Sequence, residues 1–168
     1  MSVDCTGSNR ILVVGLGNLL MRDDGVGVHA AKILDADPPA GVSVADVGTA
    51  IWHLPDLLKG VDFLLAIDAM CAGGAPGSLY LVAAGDVPAR ARPVSAHSLA
   101  LPELLQGLPA GDRPQETLVL GVEPDEVEVG MQLSPAVQAA LPRVIDEVHR
   151  IVARWQAEES AVSSRRSA

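Results

Sequence analysis

Ile11-Leu12-Val13-Val14-Gly15-Leu16-Gly17-Asn18-Leu19-Leu20-Met21-Arg22-Asp23-Asp24-Gly25-Val26-Gly27 opens with six uncharged residues of strand length and then breaks at glycine. From residue 25 to 36 the period changes. Val26, Ala30, Ile33 and Leu34 fall on one helical stripe, while His29, Lys32 and Asp35 fall on the other. A strand feeding an amphipathic helix through a glycine-rich loop is the repeating unit of a parallel sheet covered by helices. Four further runs of strand length follow at 42–47, 63–69, 79–83 and 117–122, with few charges, as strands buried on both faces require. The run at 79–83 follows Gly73, Gly74, Pro76 and Gly77, which suits an added antiparallel strand.

Helices are expected at 51–59 and at 97–108, the second with Ser95 as a cap and Pro102 inside it. The last helix has Ser134 as N-cap and Pro135 in first position. Its stripe of Val137, Leu141, Val144, Ile145, Val148, Ile151, Val152 and Trp155 is continuous, with a kink expected at Pro142. These elements predict an α/β fold: a single domain over residues 10–156 with a mostly parallel five-stranded sheet and helices on both faces. Residues 1–9 and 157–168 are expected to be disordered tails, and the Pro/Arg-rich loop at 85–93 the mobile element.

Composition narrows the function. The chain has 168 residues, enough for one domain, with 49% hydrophobic residues and only 2% aromatic, namely Trp52, Phe63, Tyr80 and Trp155. A net charge of -9 with only 12 Lys and Arg argues against nucleic acid, which is held through its phosphates. Cys5 and Cys71 are too few for a disulfide framework. Asp62 and Asp68 interrupt the apolar stretches before a membrane span is reached, and the first residues lack the basic and apolar regions of an export signal. We therefore expect a cytoplasmic protein, without membrane or nucleic-acid partners, acting as a monomer.

Open α/β sheets bind ligands beyond the carboxyl ends of their strands. There the sequence places Asp23 and Asp24 after the first strand, Asp68 at the end of the third, and His97 after the Pro/Arg-rich loop. Two carboxylates and an imidazole can bind a divalent ion and leave positions open. Each residue also has a plainer reading. Either Asp23 or Asp24 can cap the first helix, and His97 can begin a helix with its ring satisfied locally. Asp68, inside Leu64-Leu65-Ala66-Ile67, is harder to account for without a partner, because a buried carboxylate costs several kcal/mol. His29, His53 and His149 are read as solvated, as are Arg22, Arg90 and Arg92.

A dinucleotide fingerprint would need glycine at position 20, which is Leu20, and the acidic pair would repel a pyrophosphate. A receiver-like phospho-acceptor domain also uses an acidic pair and a strand-end aspartate. It would carry a lysine followed by proline after the last strand, where this chain has Glu123-Pro124.

Residues 11–27 closely resemble the opening of the hydrogenase maturation proteases, endopeptidases that trim the C-terminus of the large subunit of nickel-iron hydrogenases. The likeness continues through Val47-Gly48-Thr49, Leu64 to Ala69, Ser95-Ala96-His97-Ser98-Leu99, Leu120 to Pro124, and Gly130 to Pro135. It implies that Asp24, Asp68 and His97 are the metal ligands, with Asp24 and Asp68 the catalytic carboxylates and Gly48 and Thr49 on the substrate side. Asp23 is then the cap, and Cys71 a small buried thiol. The resemblance further implies a large-subunit precursor as partner and nickel, carried by that precursor, as the recognition signal; another divalent ion is expected to be able to occupy the site in isolation. Some members have Glu where this chain has Asp24. A non-catalytic nickel-sensing adaptor or chaperone for the precursor is the alternative.

Overall fold

The computed structural model describes residues 11–86, 92–94 and 96–166; the side chains of 92, 93, 96–99, 159 and 162–166 lie outside that description. So do the expected N-terminal tail, the core of the expected mobile loop at 87–91, Arg90, and the Ser95 cap.

Six strands form among the described residues: β1 (Ile11–Leu16), β2 (Val42–Gly48), β3 (Phe63–Cys71), β4 (Leu79–Ala83), the short β5 (Arg92–Pro93) and β6 (Glu116–Val122). The main sheet has the order β2-β1-β3-β6-β4. β1 pairs parallel with β2 and β3, and β3 parallel with β6. β4 runs antiparallel to β6, as its glycine-rich approach suggested. The two-residue β5, which sequence did not foresee, pairs antiparallel with Met70 and Cys71 at the end of β3.

Strand alternation sorts the apolar residues onto two cores. Ile11 and Val13 of β1, with Leu65 and Ile67 of β3, face the helices α1 (Val26–Ala36) and α4 (Pro135–Arg166). Leu12, Val14 and Leu16, with Leu64 and Ala66, face the opposite layer, which holds α2 (Leu54–Leu57) and α3 (Ala96–Gly107). The helix expected at 51–59 divides into a 3-10 turn (Ile51–His53) followed by α2, with Pro55 in the first turn of α2, where its missing N–H costs nothing.

α4 starts as expected. The Ser134 hydroxyl accepts the Val137 N–H at 3.4 Å. Its inner stripe ends on Trp155, fully buried, stacked on Phe63 at 5.1 Å and donating its indole N–H to Glu116 at 2.5 Å. The helix runs on through Pro142, and it does not stop at Gln156. It continues to Arg166, where a disordered tail was expected, because Ala157, Glu158 and Glu159 are good helix formers and neither glycine nor proline follows.

Candidate active site

Three glycines let the first strand, its loop and α1 approach closely. A Cβ on Gly15 would lie 2.2 Å from the Gly27 carbonyl oxygen, and one on Gly27 would lie 2.1 Å from that of Ile67. These two glycines are there so that α1 can rest directly on β1 and β3. Gly17 turns the chain out of the sheet at φ +113°, and its N–H donates to the Gly48 carbonyl at 3.1 Å. A Cβ on Gly17 would fall 1.8 Å from the Asp24 carbonyl oxygen and 3.6 Å from Asp68 Oδ1. The loop therefore folds back so that the Asp24 backbone and the Asp68 carboxylate border the same small volume.

Both carboxylates are buried there, Asp24 at 4% and Asp68 at 1% exposure. Asp24 Oδ2 accepts the Asn18 N–H at 2.9 Å, and Asp68 Oδ1 accepts the Ala69 N–H at 2.8 Å. Asp68 has the alternation parity of Leu64, Ala66 and Met70, so it belongs to the sheet face that α3 covers. Opposite it in β6 stands Gly121, where a Cβ would collide with Met70.

His97 is the second residue of α3, on that same face, and β5 leads the chain into that helix. Its side chain lies outside the described residues. Among the described residues no three His, Cys, Asp or Glu side chains form a metal-binding group. The donor set of two carboxylates and an imidazole still matches a divalent first-row ion, with Asp24 and Asp68 already on one edge.

Asp23 departs from its expected role. The N-cap of α1 is Gly25, and Asp23 instead sits in a 3-10 turn (Arg22–Gly25), fully buried. Its Oδ2 accepts the N–H groups of Asp125 at 2.9 Å and Glu126 at 2.8 Å, and its Oδ1 accepts that of Ser134 at 2.7 Å. Burial alone would push this carboxyl up, but the donors from Glu126, Ser134 and Asp125 outweigh it and hold the pKa below the ordinary range. Arg22 is not simply solvated either. It adopts φ +46°, pairs with Glu126 and Glu128, and donates to the Gln132 carbonyl at 3.3 Å. His29 is half-buried, with Nε2 3.3 Å from the Met131 carbonyl oxygen, whereas His53 and His149 are exposed as expected.

A second acid at a strand end escaped the sequence reading. Glu123, just past β6, is buried and accepts the Ala72 N–H at 2.8 Å, the Gly73 N–H at 3.3 Å and the Tyr80 hydroxyl at 2.8 Å. It thereby fixes the turn that leaves β3. Burial raises the Glu123 pKa, but the Ala72, Tyr80 and Gly73 donors bring it below the usual range. The strand-end rule that found Asp68 applies to Glu123 too. Cys71, in this neighbourhood, is half-buried rather than buried, its thiol pushed up first by burial and then by the Glu123 charge.

A sequence profile of hydrogenase maturation proteases matches residues 28–151. The chain belongs to the hydrogenase maturation protease family. It is 35% identical over 146 residues to the hydrogenase expression/formation protein HoxM of Azotobacter vinelandii, covering 79% of this chain and 70% of that one. Among solved structures it is similar to the hydrogenase maturating endopeptidase HybD of Escherichia coli, at TM-score 0.77 and 31% identity over 86% of this chain and 93% of that one. It also resembles the NiFe hydrogenase maturation protease HybD of Thermococcus kodakarensis, at TM-score 0.74 and 29% identity, over 84% of this chain and 98% of that chain.

This maturation protease is accordingly a hydrolase of the endopeptidase class. The profile match spans Asp68 and His97, while Asp24 lies just before it, on the loop that packs against the matched region. Gly48 ends β2 at φ +54° and holds that loop through the Gly17 N–H, with Thr49 following at the same edge. Gly15, Gly17 and Gly27 are explained by close packing of the protease's own backbone. No helix among the described residues is long and apolar enough to cross a membrane.

Proposed function

We propose that this protease removes the C-terminal extension of a nickel-loaded hydrogenase large-subunit precursor. The observation that carries this reading is the pair of buried carboxylates, Asp24 and Asp68, brought to one sheet edge around Gly17 in a maturation-protease fold. Asp24, Asp68 and His97 face the nickel presented by the precursor and complete its shell, so only a loaded precursor seats its scissile bond in the cleft. Gly48 and Thr49 border the same edge and contact the bound segment.

For the chemistry, one of the two carboxylates takes a proton from water as the water oxygen bonds to the scissile carbonyl carbon. The C–N bond then breaks, and the proton passes to the departing amine. Asp68, held by the Ala69 N–H on a rigid strand, is the better-oriented base, and Asp24 then lies across the cleft toward the precursor's metal. Another divalent ion can occupy the same donor set in the isolated protein, and the enzyme works as a cytoplasmic monomer.

Intact mass spectrometry of the precursor, nickel-loaded and nickel-free, tests this with wild-type protein and with Asp68→Asn. Loss of a C-terminal peptide from loaded precursor alone, and with wild type alone, is the expected result. Unchanged mass with continued co-elution would refute cleavage and leave a nickel-sensing adaptor.

A further inference from the structure

The turn that bears Asp24 is fastened to a distant loop by the carboxylate beside it. Asp23 collects N–H groups from both ends of the 125–134 segment: Asp125 and Glu126 at its start, Ser134 at its close. The Asp23 N–H returns the link by donating to the Glu126 carbonyl at 3.2 Å. Midway along, the Arg22 N–H donates to the Gly130 carbonyl at 2.7 Å, and the Gly130 N–H donates to that of Leu20 at 2.9 Å. Outside, the Arg22 guanidinium binds Glu126, Glu128 and the Gln132 carbonyl. Two segments about a hundred residues apart thus become one unit.

The division of labour follows from the 3-10 turn, in which successive side chains diverge by roughly a third of a revolution. Asp23 points into the 125–134 segment. Asp24 is turned instead toward the Asn18 N–H, while its backbone carbonyl borders the same glycine as the Asp68 carboxylate. The same unit shows Leu20, Val127, Val129 and Met131 to solvent, four of the eight exposed large apolar side chains among the described residues. Exposed apolar side chains on this unit can help seat a substrate at Asp24 only if segment and carboxylate keep a fixed relation.

We propose that Asp23 is a positioning residue: it clamps the 125–134 segment to the turn bearing Asp24, so that the carboxylate and the exposed apolar side chains of the segment meet the precursor as one preorganised unit. The proposal rests on the processing function above. Replacing Asp23 by Asn exchanges one acceptor oxygen for a donor facing N–H groups, with almost no change of shape.

The test compares wild type, Asp23→Asn and Arg22→Gln by kcat and KM on nickel-loaded precursor, by thermal melting, and by amide hydrogen exchange over 125–134. Asp23→Asn is expected to speed exchange in that segment and, assayed well below its melting temperature, to lower kcat by about a hundredfold, the size of effect a misplacement of about 1 Å produces. Arg22→Gln, which loosens the segment from outside and leaves the buried carboxylate in place, is expected to lower kcat by about threefold to tenfold, reporting the same coupling even if Asp23→Asn fails to fold. A purely structural Asp23 would lower the melting temperature and leave kcat of the folded enzyme unchanged. That outcome, or unchanged exchange and kcat in Arg22→Gln, overturns the clamp. Exchange needs no substrate, so a wild type that does not cleave sinks the processing function while the clamp is still judged on exchange.

Discussion

Gly17→Ala tests the geometry of the site most directly. The added Cβ would meet the Asp24 carbonyl oxygen at 1.8 Å, and the residue would have to hold φ +113°. The backbone conformation alone costs an L-residue about 1–2 kcal/mol. Relieving the clash requires the Asp24 backbone to retreat by about 1.5 Å, an overpacking cost of about 1–3 kcal/mol. Together these give about 3 kcal/mol, or a fall in melting temperature of about 6–12 °C for a domain of this size. The retreat carries the Asp24 carboxylate with it, so kcat on the precursor should fall about a hundredfold even when the protein is assayed cold and folded. Gly41→Ala supplies the control: Gly41 has φ +74°, its nearest contact is Gln156 at 3.7 Å, and it lies between α1 and β2, away from the site. It should lose only about 1–2 kcal/mol and keep its kcat. Calorimetry and precursor cleavage on the two variants decide the matter. If Gly17→Ala melts no lower than Gly41→Ala and cleaves at the wild-type rate, the Asp24 loop does not sit as described, and the two-carboxylate site is wrong.

Two further outcomes follow from buried groups. Trp155→Ala removes the stacked ring on Phe63 and the indole donor to Glu116, so it should cost about 3–5 kcal/mol by calorimetry, whereas Trp155→Phe should cost about 1–2 kcal/mol for the lost hydrogen bond and smaller ring. Glu123 has its folded pKa depressed, so its contribution to stability is present above the unfolded glutamate value and is lost as pH falls through the lower folded value. Melting temperature measured from pH 7 downward should therefore drop less steeply below about pH 5 in Glu123→Gln than in wild type; parallel curves would show that the amides of Ala72 and Gly73 do not favour the charged form.

How much of this was readable in advance depends on the range over which each residue acts. The sheet and its two cores follow from local alternation, since Ile11 and Val13 against Leu12 and Val14 already divide the chain into two faces. Asp68 was readable because its strand is apolar on both faces and leaves a carboxylate no solvated exit. β5 was not, because two residues of pairing carry no periodicity. The end of α4 was missed for a different reason: a polar sequence lacking an apolar stripe can still be helical when it continues a helix already nucleated.

Asp23 and Asp24 mark the limit most clearly. Adjacent and chemically identical, they could not be told apart by local rules, and the family resemblance that made Asp24 the ligand left Asp23 as a cap, whereas its partners are 102 and more residues away. What separates the two is the sharp 3-10 turn, which sends one carboxylate to a distant loop and the other to the sheet edge. The same logic explains Glu123. Its carboxylate sits at a strand end like that of Asp68, yet it is occupied by amides of the turn after β3 and by Tyr80. A strand-end acid is therefore a reliable sign that the sheet edge needs a negative charge, but whether that charge serves a reaction or holds a loop is decided by the N–H groups the fold brings to it. Asp23 and Glu123, each satisfied by several remote donors, brace an edge at which the Asp24 backbone and the Asp68 carboxylate border one glycine.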